Sequence, residues 1–95
     1  MATLHIEHKI TDFVTWKAAF DRFAQRRSEA GVTAYRIHQP HDDAAYIVLQ
    51  LDFSGVVQAQ AFLEFLESRV WSTPANSPGL ADAPRARILV PAPPQ

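Results

Sequence analysis

The chain has 95 residues, 47% hydrophobic and 20% charged, with a formal net charge of −1 and no Cys. That composition predicts one globular domain, residues 1–95, with enough apolar material for a core, and it excludes disulfides, thiolate metal sites and Cys nucleophiles. It carries no basic footprint for nucleic acid or for an anionic membrane surface.

Leu4, Ile6, His8 and Ile10 alternate with His5, Glu7 and Lys9, the period of two expected of a first strand with one apolar and one ionisable face. Thr11 and Asp12 offer helix N-caps. A helix from Phe13 to about Ala30 follows, with Phe13, Trp16, Phe20, Phe23 and Ala24 on one stripe and Lys17, Asp21, Gln25, Arg26 and Glu29 away from it. Phe23 is therefore expected in the core, and Lys17 is placed to pair with Asp21 at i,i+4. Gly31 follows the last periodic residue and reads as the helix stop.

Val32 to Gln39 is the second predicted strand. Pro40 removes a ladder donor and His41, Asp42 and Asp43 favour a turn, so a short loop leads into a third strand, Ala44 to Phe53, as a β-hairpin. Ala45, Ile47, Leu49, Leu51 and Phe53 share one face of it, which must be core. Ser54 is placed to cap a second helix to about Val70, with Ala59, Phe62, Phe65, Leu66 and Val70 on its apolar side. Trp71 to Pro84, with Pro74, Pro78, Gly79 and Pro84, is a long connection of the functional or interfacial kind. Arg85 to Val90 is the last strand, and residues 91–95, PAPPQ, form an extended polyproline-like tail.

The order βαββαβ, with right-handed crossovers, predicts an α+β fold: a ferredoxin-like, four-stranded antiparallel sheet with two helices on one face. The other face would show Tyr46, Val48 and Leu89 beside Glu7, Lys9, Gln50 and Arg87, too apolar for water and too polar for a core. A second copy is its natural cover, so the expected partner is the chain itself, as a homodimer. No apolar leader segment or run of the roughly 20 residues needed to span a bilayer is present, and the expected location is cytoplasmic.

His8 falls in phase with Leu4, Ile6 and Ile10, so it points toward the helices near Trp16 and Trp71. There it is either a neutral base or polar anchor in an apolar cleft, or a structural His satisfied by a partner. Trp71 either walls a pocket or anchors the end of the second helix, and Arg36, Arg85 and Arg87 bring cations to a sheet face as ligand contacts or as ion pairs. The ligand-binding candidates are thus His8, Trp16, Trp71 and Arg36, with no catalytic residue assigned. His5, His38, His41, Asp42 and Asp43 are metal-ligand types without tetrahedral or facial-triad spacing. A GxSxG elbow is absent, and Gly31, Gly55 and Gly79 are too far apart for a phosphate-cradling loop. No metal, haem or nucleotide cofactor is expected.

The stretch HKITDFVTWKAAFDRF at residues 8–23, with the later FLEFLESRVW and RILV, resembles small bacterial proteins of the dimeric α+β barrel superfamily. Its best-known members are the antibiotic biosynthesis monooxygenases. The similarity follows the element order of nearly the whole chain and is sharpest over the first strand and helix. The resemblance implies two ferredoxin-like sheets paired face to face into a barrel, with a cleft between sheet and helices for a small hydrophobic or aromatic molecule. Functions in that superfamily range from cofactor-free oxygenases to haem proteins, isomerases and proteins with no known activity, and the use the resemblance implies here is a cofactor-independent oxygenase or related enzyme acting on an aromatic or polyketide-like compound. The monooxygenases' catalytic Asn, Trp and Arg have no position-by-position match here, so no catalytic residue is carried over, and fold analogy has little functional weight. A second reading stays open: a non-catalytic binding or regulatory homodimer whose cleft is packed with its own Phe and Trp side chains. An open cavity reaching His8 would favour the first reading.

Overall fold

The computed structural model describes residues 1–93. Its elements are β1 (Ala2–Lys9), α1 (Phe13–Arg22), α2 (Ala24–Glu29), β2 (Ala34–His38), β3 (Tyr46–Phe53), α3 (Val56–Phe65) and β4 (Arg85–Leu89). A π-helical turn at Leu66–Val70 continues α3, and a 3-10 turn spans Pro74–Asn76. The four strands form one antiparallel sheet in the order β2-β3-β1-β4, the ferredoxin-like α+β arrangement. Of the predicted tail, residues 91–93 carry no regular structure, and 94 and 95 lie outside the described residues.

β1 runs against β3 from Ala2 opposite Phe53 to Lys9 opposite Tyr46. Because side chains alternate along a strand, this register puts Leu4, Ile6 and His8 on the same side as Ile47, Leu49, Leu51 and Phe53. All seven are buried beneath the helices. Phe53 is completely enclosed and packs on Phe62, ring centroids 5.9 Å apart.

Asp12 is the N-cap of α1: its carboxylate accepts the Thr15 N–H at 2.8 Å and the Thr15 hydroxyl at 2.8 Å. Trp16 and Phe20 stack inward from this helix, centroids 5.2 Å apart, while Lys17 and Asp21 pair at 2.7 Å on its outside. The single helix expected from Phe13 to Ala30 is broken at Phe23 (φ −98, ψ 14). No Gly or Pro stands there. The Phe20 carbonyl instead accepts from the Phe23 N–H at 3.2 Å and from the Arg27 guanidinium, so a side chain has entered the helical ladder, one of the physical causes of a helix break. The break corrects the stripe: Ala24 is exposed and Phe23 only half-buried, against Phe65. Gly31 (φ 94) ends α2 as a Schellman cap, with Gly31 N–H to the Ser28 carbonyl and Val32 N–H to that of Arg27, both at 3.1 Å.

α3 starts one residue later than its expected cap. Gly55 is the N-cap and makes no side-chain hydrogen bond, so Ser54 does not serve that role. Beyond the π-helical turn, the long connection docks on the end of β1 and the start of α1. Ile10 bridges Leu80, the Ala81 N–H donates to the Lys9 carbonyl at 3.1 Å, and the Lys9 N–H donates to Asp82 at 2.7 Å. Gly79 (φ 89) lies so close to Trp16 that an added Cβ would stand 3.0 Å from its backbone nitrogen.

Phe53→Ala is expected to cost about 3–5 kcal/mol in chemical denaturation, through lost transfer energy and a cavity. Phe23→Ala, half-exposed already, should cost about 1–2 kcal/mol. Gly79→Ala should cost about 1–3 kcal/mol, from backbone strain and crowding of Trp16.

Candidate functional site

Between the sheet and the helices lies a cavity of about 80 Å³. Its floor is Ile6, His8, Leu49 and Leu51. The walls are aromatic, with Trp16 and Phe20 from α1 and Trp71 from beyond the π-helical turn, and Asn76 to Pro78 and Leu80 line the side formed by the long connection. The structure therefore brings together three of the four residues expected at a site, His8, Trp16 and Trp71.

His8 is 3% exposed. Its Nδ1 lies 2.8 Å from the Lys9 carbonyl, which can only accept, so Nδ1 carries the proton and Nε2 the lone pair of the neutral ring. Among the described residues no side-chain nitrogen or oxygen sealed from solvent lacks a partner. Nε2 has no hydrogen-bond partner among the described residues and so is not sealed from solvent, and the His8 side chain lines the cavity. Burial pushes the His8 pKa below its ordinary 6.5, opposed in part by the bond to Lys9. The result is a neutral imidazole on the wall of a mostly apolar cavity, with Nε2 as an acceptor that no described residue engages.

Arg27 also lines the cavity and was not foreseen there. Its side chain is 7% exposed, with the guanidinium carbon 3.5 Å from the Phe20 ring centroid and 5.4 Å from that of Tyr35. A signal existed in the sequence: Phe13, Trp16, Phe20, Phe23 and Arg27 are spaced 3, 4, 3 and 4, so the cation lies in phase with the aromatic stripe.

Arg36 lies elsewhere. It sits opposite Gln50 on β3, on the helix-free face, and both Nη1 and Nη2 donate to Asp52 at 2.9 Å. Asp52 also accepts from the Thr3 hydroxyl at 2.8 Å. These donors hold its carboxyl at a pKa of about 2, Arg36 first and Thr3 second. The same chain of bonds crosses the sheet: Arg36 to Gln50 at 3.1 Å, Gln50 to His5 at 3.1 Å, His5 to Glu7 at 2.8 Å, Tyr46 to Glu7 at 2.6 Å and Arg85 to Tyr46 at 2.7 Å. Arg36 thus belongs to a polar belt and not to the cleft. Among the described residues, no three His, Cys, Asp or Glu side chains converge as a metal site, and no helix is long and apolar enough to cross a membrane.

No family model matches the chain, and no curated protein matches it. Solved structures do. An antibiotic biosynthesis monooxygenase-like protein from Nitrosomonas europaea is 21% identical, with a TM-score of 0.67 over 96% of this chain and 98% of that one. A dimeric ferredoxin-like protein from an uncultured marine organism is 10% identical, with a TM-score of 0.61 over 96% of each chain. A PII-like signalling protein from Thermus thermophilus is 13% identical, with a TM-score of 0.56 over 93% of this chain and 84% of that one. At these identities the likeness establishes the ferredoxin-like fold.

Two pH effects follow. His8 is kept neutral in the native state while the unfolded chain takes up its proton near 6.5, so stability should fall as pH drops below about 6.5. Urea denaturation at pH 7.5 and 5.5 should show a smaller acid loss in His8→Gln. Asp52 contributes stability that is present above its ordinary 3.8 and lost as pH falls toward about 2. The advantage of wild type over Arg36→Met should therefore narrow between pH 4 and pH 2.

Proposed function

We propose that this chain is a homodimeric small-molecule-binding protein whose cleft presents His8 Nε2 to an ionisable ligand, with cofactor-independent oxygenation as its enzymatic use. The carrying observation is a cavity lined by His8, whose Nε2 has no hydrogen-bond partner among the described residues. A neutral imidazole with a depressed pKa can take a proton from an acidic hydroxyl or C–H, the opening step when an organic substrate is oxidised by O2 without a cofactor. The name of the Nitrosomonas europaea structure supports the same reading.

The cavity's size narrows the ligand. At about 80 Å³ it is roughly half the 150 Å³ that houses benzene in an engineered core. A single ring enters when a wall shifts, and a polycyclic compound does not fit this form. The alternative of a cleft packed with its own aromatics is disfavoured, since Trp16, Phe20 and Trp71 line the space without filling it.

The dimer would form through the helix-free sheet face, making a barrel from two sheets. That face carries half-buried Tyr46 and Val48 and exposed Leu89. His5, Glu7, Tyr46, Arg85, Arg36 and Asp52 already bond one another within the chain, which leaves Lys9 and Arg87 as the charges a partner would have to meet. The dimeric ferredoxin-like neighbour is a precedent. A specific dimer should bury at least about 1,000 Å² in total.

Phenol is the test ligand. It should shift the NMR signals of His8 and Trp71, and His8→Ala should weaken it by about 1–3 kcal/mol while sedimentation at micromolar concentration still gives a dimer. Oxygen uptake with single-ring phenols that is lost in His8→Ala would carry the enzymatic reading. Phenol binding indifferent to His8, or a monomer in sedimentation, would defeat the corresponding half of the proposal.

A further inference from the structure

We infer that Arg27 is the anion-binding residue of the cleft and that the ligand carries a carboxylate on a small apolar or aromatic body. The inference rests on the reading that the cleft holds a small molecule and adds what that molecule must bear.

Arg27 is more than nine-tenths buried and lines the cavity, yet no carboxylate among the described residues lies within ion-pair distance of it. Asp21, the acidic group that bears on it through space, is paired with Lys17 on the outer face of α1. A buried cation is normally paired, because desolvation is costly. Here the compensation comes from two ring faces and one carbonyl, Phe20's, which engages Nη1 alone.

A guanidinium presents five N–H donors in a planar fork. The carbonyl bond at the helix break is a structural duty for one nitrogen. No protein hydrogen bond among the described residues engages Nε or Nη2, and neither is sealed without a partner, so both keep open surface. A planar fork in an apolar surround matches a planar, singly charged acceptor, and carboxylate geometry allows two parallel bonds. Phosphate fits poorly: it brings more charge than one cation offsets, and neither a second cation nor a glycine-rich loop lines the space. The other lining groups are mostly apolar, and His8 is held neutral. The ligand body would lie against Trp16 and Phe20.

The test uses benzoate and its uncharged isostere benzamide, titrated into the full chain at pH 7.5. Benzoate should bind at least tenfold tighter than benzamide, with a shift of the Arg27 Nε–H resonance. Arg27→Met, which keeps an unbranched apolar stem, should abolish that preference, and Arg27→Lys should recover only part of it. Should the Met variant fail to fold, the wild-type preference and the Nε–H shift decide the matter. Equal binding of benzoate and benzamide, or a preference that survives Arg27→Met, would overturn the role of Arg27 and leave the cleft reading intact. Binding of neither compound, with phenol also silent, would overturn both.

Discussion

The pairing of β1 with β3 is the constraint on which the remaining features depend. Once Leu4 stands opposite Leu51 and Ile6 opposite Leu49, the side of every residue in both strands is decided, since a slip of one residue would exchange the two faces. The apolar set can face only the helices. His8 is carried with it into the cavity, while His5 and Glu7 are turned to the opposite face and join the belt that runs from Arg85 to Asp52. One register thus produces both the chamber lined by His8 and a sheet face on which most of the polar groups bond one another.

The helical layer shows a different economy. α1 and α2 would make one regular helix but for a side chain that prefers a backbone carbonyl and two ring faces to water. The Arg27 guanidinium enters the ladder at Phe20 and lies over the Phe20 ring. One conventional helical bond near Phe23 is exchanged for a charge-assisted bond and cation–π contact. Local helical regularity is sacrificed where the layer meets the cavity, which is where irregular backbone is commonly found in sites.

Much of this was legible in the residues. The alternation in β1 and β3 was decisive, because a half-buried sheet writes its register into polarity. Gly31 marked its helix end correctly, for only a residue free of Cβ takes φ 94 without strain. The phase of His8 put it beneath the helices beside Trp16 and Trp71. What escaped depended on partners distant in sequence. Arg36 reads as a free cation until Asp52 is placed beside it across the hairpin. The break at Phe23 has no Gly or Pro to announce it, since its cause is a side chain four residues on. Ser54 is a good capping residue by type, but the chain entered the helix one residue later, at Gly55.

The π-helical turn after α3 has a geometric consequence for the chamber. The Trp71 N–H reaches back five residues to the Leu66 carbonyl, at 2.7 Å, so the turn holds one residue more than an α-helix would. Each residue of an α-helix advances the azimuth by about 100°. The wider turn absorbs the extra residue, so Trp71 stands at about the azimuth that the residue before it would hold in an unbroken α-helix. Were Leu66–Val70 to wind as a regular α-helix with every residue kept, the indole would swing on by about a quarter turn around the helix axis, and the chamber would lose that wall while the sheet stayed as it is. The width of one turn of helix, with no change in the core, thus decides whether an indole closes the chamber.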